Sequence, residues 1–367
     1  MSTLTASVPA ADDTRFQEAN AFLVRLGLGT LAGQPDRRSL PGRNTNVSGT
    51  TDAGRGVFVK RLEGPRKVAE TRIQQCLAFE QLLQQYPQPG FSSPRCLGSD
   101  IGSQLMVFEL VEDAVTAADL VKDHGLTDGL ARSLGNTVGH LHNLPVDRLR
   151  QTEARTPLLP SAELLAGLPV ALFEASSAAE LQVWSLLQND VPLADALRAL
   201  LERERQAEPV AAHCDLRLDQ FLIADGRIHL TDLEEFQAGD AARDLGGVVG
   251  DLLHRAVLDA ATSESADRDA TPSRDQMLTQ LTSGIRVARP RIRAFWNGYL
   301  EQRPAAGDLA ARVVAFAGWH LLDRLLAGAR TAPRLAALPR AAAGIGRKAL
   351  LTPDKFIPAL GLVEDLG

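Results

Sequence analysis

The sequence has 367 residues, of which 45 % are apolar and 23 % charged, a composition that excludes a disordered or fibrous chain. The net charge of −6, without a block of positive charge, argues against a nucleic-acid binder. Three cysteines match neither a disulfide framework nor a zinc site, and the N-terminus lacks the basic and apolar segments of a signal peptide. The most apolar late stretch, "VVAFAGWHLLDRLLAGA", contains charged residues and predicts a buried helix, so we expect no membrane span and a cytoplasmic protein.

The first third of the chain predicts a small α+β lobe. A helix is expected over "TRFQEANAFLVRLGLG", followed by a loop with glycine and asparagine at residues 41–46. The turn "DAGRG" and the alternating "GVFVKRL" predict a hairpin whose second strand carries Lys60. The stretch "RKVAETRIQQCLAFEQLLQQY" predicts a helix, and strands are expected near Leu97 and from Leu105 to Leu110.

The remainder predicts a larger, mainly helical lobe. "TDGLARSLGNTVGHLHNLP" predicts a helix with Thr127 as its N-cap, and residues 146–209 hold two or three more helices. Three further helical segments follow the second acidic cluster. The sequence therefore predicts an α+β fold with a small N-terminal lobe, residues 1–111, of antiparallel sheet and one helix, and a helical C-terminal lobe, residues 112–367.

Two carboxylates flank a short apolar stretch in the C-terminal lobe. Asp215 in "HCDLRLDQ" and Asp232 in "LTDLE" lie seventeen residues apart, with "FLI" and "IHL" between them. Strands at these two apolar runs predict a hairpin that carries both carboxylates to one point. Asp215 suits a base for an acceptor hydroxyl, while Asp232 and the amide oxygen of Gln220 suit Mg²⁺.

A lysine and a glutamate in the N-terminal lobe complete a set that ATP-dependent phosphoryl transfer requires. That chemistry needs a lysine at the α- and β-phosphates and a carboxylate that orients the lysine. Lys60 is one of only five lysines and lies on a predicted strand. Glu80, in the following helix, suits the orienting role, and Glu70 on the same helix is the alternative.

Seven motifs in chain order resemble the aminoglycoside phosphotransferase and choline kinase group, which shares the protein-kinase fold. They are "GRNTN", "VFVK", "ELVE", "LHNLP", "HCDLRLDQ", "LTDLE" and "GDAARDL". The resemblance implies a bilobal protein-kinase-like fold in which a small nucleotide-binding lobe and a helical lobe bind ATP and Mg²⁺ between them. It also implies a kinase that phosphorylates an alcohol group.

The matching motifs imply roles for single residues as well. Asn44 and Asn46 of the nucleotide loop would contact the phosphates. The backbone at Glu109 and Val111 of the hinge would meet adenine. His213 within the catalytic loop and Asp244 on the following helix would support that loop.

Two positions depart from the pattern of the group. Cys214 stands where the group usually has glycine, and Gln220 stands where it usually has asparagine. Glutamine keeps the amide oxygen but adds a methylene group, which changes where the second metal ligand would lie. Bacterial sugar kinases of the maltokinase type are similar at this place, so the departure does not imply an inactive kinase.

A narrower resemblance concerns the acceptor. "HCDLRLDQFL" together with "TDLEEFQAGDAARDLGG" resembles the kinase subunit of class V lanthipeptide synthetases. It implies phosphorylation of Ser and Thr hydroxyls of a ribosomal precursor peptide, with a partner lyase that eliminates the phosphate. Two alternatives stay open: a small-molecule kinase of aminoglycoside, sugar or amino-alcohol hydroxyls, and a weakly active scaffold for a partner lyase. Glu234 and Glu235 are candidates for the acceptor site.

Overall fold

A computed structural model describes residues 11–31, 45–88, 90–147, 149, 159–263 and 274–363. The elements in chain order are α1 (Ala11–Arg25), β1 (Thr45–Thr50), β2 (Gly56–Arg61), α2 (Arg66–Gln85), β3 (Cys96–Asp100), β4 (Leu105–Glu109), β5 (Val115–Thr116), α3 (Ala117–Lys122), α4 (Asp128–His142), α5 (Ala162–Ala166), α6 (Val170–Ala175), α7 (Ala178–Asn189), α8 (Val191–Gln206), β6 (Pro209–Ala212), β7 (Phe221–Ala224), β8 (Arg227–Leu230), β9 (Gln237–Asp240), α9 (Ala241–Ser263), α10 (Arg274–Gln302), α11 (Leu309–Ala329), α12 (Ala337–Leu351) and α13 (Pro353–Leu360).

The chain divides into two compact units. The sheet unit contains the described residues up to Pro87, then Ser92–Ala114 and Ala224–Glu234. The helical unit contains the remaining described residues, from Gln88 onward. The single boundary expected after residue 111 lies three residues before the division at Ala114, and the segment Ala224–Glu234 joins the sheet unit from much later in the chain.

The sheet unit is built on a four-stranded antiparallel sheet in the order β1-β2-β4-β3. Val57 and Val59 of β2 are buried, as the alternating sequence of this strand predicts. Lys60 pairs with Asn46 of β1 and with Met106 of β4, so it lies at the centre of the sheet. The predicted hairpin, strands and both helical segments are therefore present, so the unit has two helices, α1 and α2, where the predicted lobe had one.

The helical unit is held together by close helix contacts. A Cβ atom at Gly135 of α4 would lie 1.9 Å from the carbonyl oxygen of Phe295 on α10, and one at Gly246 of α9 would lie 2.3 Å from the Cβ of Phe316 on α11. Only glycine lets the helices approach this closely. Thr127 caps α4 by accepting a hydrogen bond from the backbone N–H of Leu130, as predicted.

Two short ladders and a tight turn position the acidic segments. Within the helical unit, β5 pairs with β7 and β6 pairs with β9, both antiparallel. Asp225 and Gly226 follow β7 with φ of 49° and 71°, the left-handed backbone of a two-residue turn, and β8 follows them. The α+β fold with a small antiparallel sheet and a larger helical part is confirmed. In the part of the chain described, no helix combines the length and apolarity needed to cross a bilayer.

Candidate active site

The loop that carries Asp215 is held at both ends by carboxylates of α9. Asp244 accepts hydrogen bonds from the backbone N–H groups of His213 and Cys214, each at 2.7 Å. Asp251, two helical turns further on, accepts one from the backbone N–H of Leu218 at 3.2 Å. The structure thus places Asp244 where the sequence predicted a brace. Asp251 is a second support that the motifs did not indicate.

Asp244 is fully buried and has a third partner. The Nε2 atom of His142 lies 3.0 Å from its Oδ2 atom, and the Nδ1 atom of His142 lies 3.2 Å from the hydroxyl of Tyr299. Burial alone would raise the pKa of Asp244, but the hydrogen bonds from His142 and the backbone outweigh it and lower the pKa. Asp244 is therefore a charged anchor in the interior.

Replacing Asp244 with alanine should destabilise the protein by about 3–5 kcal/mol, the usual range when one partner of a buried charged network is removed. Two backbone N–H groups and His142 lose their acceptor at a fully buried position. Urea denaturation measures the difference. The matched change Asp195→Ala, at an exposed residue of α8, should alter stability by about 0.5 kcal/mol or less, and equal losses for the two variants would contradict the anchoring role.

Asp215 lies in the open part of this loop, with 39 % of its side chain exposed. The guanidinium of Arg217 contacts both of its carboxylate oxygens, at 2.9 and 3.0 Å. Both contacts come from one nitrogen, Nη1, which lies between the two oxygens and restrains the carboxylate. The motif comparison did not single out Arg217, although an arginine two residues after the aspartate is visible in "HCDLRLDQ".

Gln220 is the last residue of a 3-10 turn, Leu218–Gln220, and its side chain stabilises the same loop. Its Oε1 atom accepts a hydrogen bond from the backbone N–H of Arg217 at 2.8 Å. An amide oxygen can accept hydrogen bonds and can also act as a metal ligand. The glutamine therefore closes the loop and retains the chemistry of an oxygen ligand.

Two of the site residues have left-handed backbone conformations, with φ of 68° at Cys214 and 67° at Asp232. This region favours glycine, which explains physically why a glycine suits the position of Cys214. Non-glycine residues with such φ values are concentrated at functional sites, where the surroundings enforce them. Burial raises the pKa of the Cys214 thiol to about 12, so the cysteine is an unreactive thiol.

In the sheet unit, Lys60 is buried and forms ion pairs with Asp232 and Glu234. Arg72 of α2 lies 3.6 Å from Glu234 on its other side. Burial and the nearby charge of Asp232 raise the pKa of Glu234 to about 8, against the attraction of Lys60, which lowers it. Lys60, Asp232, Glu234 and Arg72 therefore form one network of ion pairs, in which Glu234 lies between the two basic groups.

The expected pair between Lys60 and a glutamate of α2 is wrong for this structure. The carboxylate of Glu80 accepts a hydrogen bond from the backbone N–H of Cys96 in β3 at 3.1 Å, and Glu70 is not a partner of Lys60 either. The buried face of α2 presents Arg72 and Cys76, and neither glutamate, to the interior. A carboxylate partner for Lys60 comes instead from the segment after β8.

Asn46 of β1 lies directly opposite Lys60 in the sheet register. Its Oδ1 atom is buried and makes no hydrogen bond within the described part of the chain. A side-chain amide in this position can rotate to present its NH₂ group to a phosphate oxygen. Asn44, the other asparagine of the predicted nucleotide loop, lies outside the described residues.

The predicted hinge lines a cleft in the sheet unit. The segment from Glu109 to Glu112 forms one wall, and Ser92–Pro94 with residues around Asp225 and His229 forms the other. The side chain of Glu109 pairs with Arg95 at 2.8 Å and with Arg55 at 3.4 Å. A hinge of this kind can offer backbone groups to a planar base, which leaves the side chains free to vary.

The acidic side chains at Lys60 fit a hard divalent cation. Asp232 offers carboxylate oxygens on a side chain that is 31 % exposed, and Glu234 lies beside it. No group of three or more His, Cys, Asp or Glu side chains suited to a metal occurs among the residues that the structure describes. Mg²⁺ does not need one, because it uses one or two carboxylates together with phosphate oxygens and water.

A buried histidine in the helical unit should make stability depend on pH. Burial lowers the pKa of His320 on α11 well below its ordinary value, so the folded protein keeps the imidazole neutral. The unfolded chain binds a proton below about pH 6.5, so the free energy of unfolding must fall as the pH falls below that value, by at most about 1.4 kcal/mol per pH unit. Urea denaturation at pH 7 and pH 5.5 should show a smaller fall for His320→Gln than for the wild type. Parallel pH profiles would contradict this assignment.

The fold and the arrangement of charged residues define the class of protein, a kinase-like phosphotransferase. The model of the APH family, the phosphotransferase enzyme family, matches residues 39–278, and the chain belongs to this family. It is an ATP-dependent phosphotransferase. No match was found among curated proteins.

Solved structures show the same fold at low sequence identity. The amicoumacin kinase hAmiN, in complex with AMP-PNP, Ca²⁺ and Ami, has a TM-score of 0.57 at 14 % identity, over 94 % of this chain and 96 % of that one. A choline/ethanolamine kinase family protein from Mesorhizobium loti has a TM-score of 0.51 at 18 % identity, over 96 % and 99 %. A putative fructosamine-3-kinase from Haemophilus somnus has a TM-score of 0.52 at 12 % identity, over 91 % and 99 %.

Proposed function

We propose that this protein transfers the γ-phosphoryl group of ATP, with Mg²⁺, to an alcohol hydroxyl held at Asp215. The observation that carries the proposal is the loop His213–Leu218, which two carboxylates of α9 hold in place. A fixed backbone with a partly exposed carboxylate at its centre suits a base that must meet a substrate hydroxyl. Catalysis then comes chiefly from positioning and from charge stabilisation.

The helical unit supplies the acceptor side of the reaction. Asp215 aligns the hydroxyl with the γ-phosphoryl group and takes up its proton late in the transfer. Arg217 restrains the carboxylate through its Nη1 atom, which contacts both oxygens. His213 and Asp244 support the loop and do not touch the substrate in this proposal.

The sheet unit supplies the nucleotide side. Lys60 neutralises charge on the α- and β-phosphates, Asn46 and Asn44 contribute amide donors, and the backbone at Glu109 and Val111 meets adenine. Asp232 would hold Mg²⁺, with Gln220 as the amide ligand from the catalytic loop. The bound ion offsets negative charge on the phosphates. The buried ion pairs of Lys60 show that this pocket already stabilises opposite charges at close range.

For the acceptor, we propose a small hydroxyl compound. Structures of the same fold are named as kinases of amicoumacin, choline or ethanolamine, and fructosamine, which supports a small molecule. Glu234, an acceptor-site candidate by sequence, is engaged by Lys60 and Arg72. Glu235 is buried in the helical unit and remains a candidate.

A second candidate acceptor is a ribosomal precursor peptide whose phosphorylated Ser or Thr is passed to a partner lyase. Its support is the lanthipeptide-type segment from His213 to Gly247.

A weakly active scaffold for such a lyase has only Gln220 in its favour, and measurable ATP turnover would exclude it. The three cysteines are unpaired and two are buried, which supports a reducing cytoplasm as the compartment.

The experiment incubates the purified protein with Mg-ATP and either a panel of sugars, amino sugars and amino alcohols or a Ser/Thr-rich precursor peptide. Mass spectrometry then identifies which molecule gains a phosphate. A phosphorylated small molecule supports the first acceptor class. A phosphorylated peptide, dehydrated once the lyase is added, supports the second. If no molecule gains a phosphate while ATP is consumed, the acceptor assignment fails in both forms.

A further inference from the structure

Within the sheet unit, the α2 helix presents an arginine to the ion pairs around Lys60, where the sequence predicted a glutamate. Arg72 belongs to the buried face of α2, and its Nε atom lies 3.6 Å from the Oε2 atom of Glu234. A charged side chain that is taken out of water needs an opposite charge nearby. The helix therefore contacts the lysine site through a cation, and Glu234 is a carboxylate that pairs with it.

Glu234 divides its two carboxylate oxygens between two buried cations. Its Oε1 atom pairs with the ammonium of Lys60, and its Oε2 atom faces the guanidinium of Arg72. All three side chains are buried, so water and salt screen these two ion pairs only weakly. A carboxylate that is held from both sides has little freedom to move away from Lys60.

Asp232, the other carboxylate at Lys60, lies in a more open position. Its side chain is 31 % exposed, against 9 % for that of Glu234. Mg²⁺ loses its water reluctantly and usually keeps several water molecules, so the more exposed carboxylate is the one that suits the ion. When Asp232 turns to a bound ion, Glu234 is the carboxylate that stays on Lys60.

Arg72 keeps the two carboxylates in separate roles. Asp232 and Glu234 pair with the same ammonium, so a divalent ion that binds one of them also attracts the other. Glu234 could follow that attraction only by moving away from the buried guanidinium of Arg72. Removing one partner from a buried ion pair is strongly unfavourable, so Arg72 opposes the movement.

We propose that Arg72 is a positioning residue, which holds Glu234 on the ammonium of Lys60 so that Lys60 stays directed at the nucleotide when Asp232 binds Mg²⁺. Glu234 then has the orienting role that was predicted for a glutamate of α2. Arg72 acts through Glu234 and does not touch the nucleotide in this proposal. The inference rests on the proposed function, because it assumes that Lys60 meets the phosphates of a nucleotide bound with Mg²⁺.

The test is a double-mutant cycle of Arg72→Met and Glu234→Gln in the whole chain, read by calorimetric titration with AMP-PNP in Mg²⁺ and, separately, in EDTA. In Mg²⁺ each single variant should lose about tenfold in affinity, as the loss of one charge-assisted contact predicts. The double variant should lose no more than the weaker-binding single one, because both changes break the same link. In EDTA, Asp232 still pairs with Lys60, so each loss should be less than about threefold.

Two further variants separate the charge of Arg72 from its bulk. Arg66→Met, at an exposed arginine six residues earlier on α2, is the matched control and should bind Mg-AMP-PNP as the wild type does. Arg72→Lys keeps the positive charge and should recover most of the affinity that Arg72→Met loses. If circular dichroism shows that Arg72→Met does not fold, the polar Arg72→Gln takes its place in the cycle.

The inference is overturned if Arg72→Met binds Mg-AMP-PNP as tightly as Arg66→Met does, or if the two single losses multiply in the double variant. An equal loss in Mg²⁺ and in EDTA would also overturn it, since an ion pair that only stabilises the fold would weaken binding in both conditions. A wild type that binds no Mg-AMP-PNP overturns the proposed function as well. The proposed function alone fails if the wild type binds the nucleotide but transfers no phosphate.

Discussion

Replacing Asp215 with asparagine should reduce kcat by about 10²–10⁴-fold, the usual contribution of a positioned acid or base. Asparagine preserves the shape and can still contact Arg217, but it cannot accept the proton of the hydroxyl. Because the contacts of Asp215 that the structure shows are to Arg217 of its own loop, the KM for ATP should change by less than about threefold. Steady-state kinetics with a phosphorylated acceptor measures both quantities.

The control for this variant is Asp195→Asn, at an exposed aspartate of α8 that pairs with Arg198. It should keep full activity. Circular dichroism and urea denaturation should show that Asp215→Asn folds as the wild type does, since 39 % of the side chain is exposed and its backbone is held by Asp244 and Asp251. A variant that folds and retains wild-type kcat would remove Asp215 from the mechanism.

Replacing Lys60 with methionine should lower kcat/KM for ATP by about 10²–10³-fold, the range seen when one electrostatic donor to a developing charge is lost. The change removes the positive charge that Lys60 offers to the phosphates. It also leaves Asp232 and Glu234 facing each other without the ammonium between them. Nucleotide binding should therefore weaken together with turnover, in contrast to Asp215→Asn.

Lys67→Met is the matched control, because Lys67 is an exposed lysine on α2, seven residues further on. Calorimetric titration with Mg-AMP-PNP should give wild-type affinity for Lys67→Met and a clear loss for Lys60→Met. If Lys60→Met bound the nucleotide as tightly as the control does, the ammonium would have no contact with the phosphates.

The fold could be predicted from the sequence because the patterns that indicate helices and strands are local. The two-residue alternation of "GVFVKRL" and the helical spacing of the longer segments report burial directly, and both β2 and α2 appear where expected. The order of seven motifs then related these elements to one family. The position of Asp244 over the catalytic loop followed from the same order.

The partners of the charged residues could not be predicted from the sequence, since they depend on tertiary geometry. Helical spacing cannot predict which face of α2 meets Lys60. In the structure, Arg72 of α2 contacts Glu234, and Glu80 accepts a hydrogen bond from the backbone of β3. Asp251 resembles an ordinary acidic residue of a helix until α9 is packed against the loop. No motif singled out His142 either, although it forms a hydrogen bond with Asp244 in the interior.

The most direct test of the central claim follows ³¹P NMR of Mg-ATP with the acceptor panel, for the wild type and Asp215→Asn side by side. The account predicts that the wild type produces ADP together with a new phosphate monoester signal, distinct from inorganic phosphate, and that Asp215→Asn produces almost none. The account is contradicted if the wild type forms no monoester with any acceptor, or if the two proteins form it at the same rate.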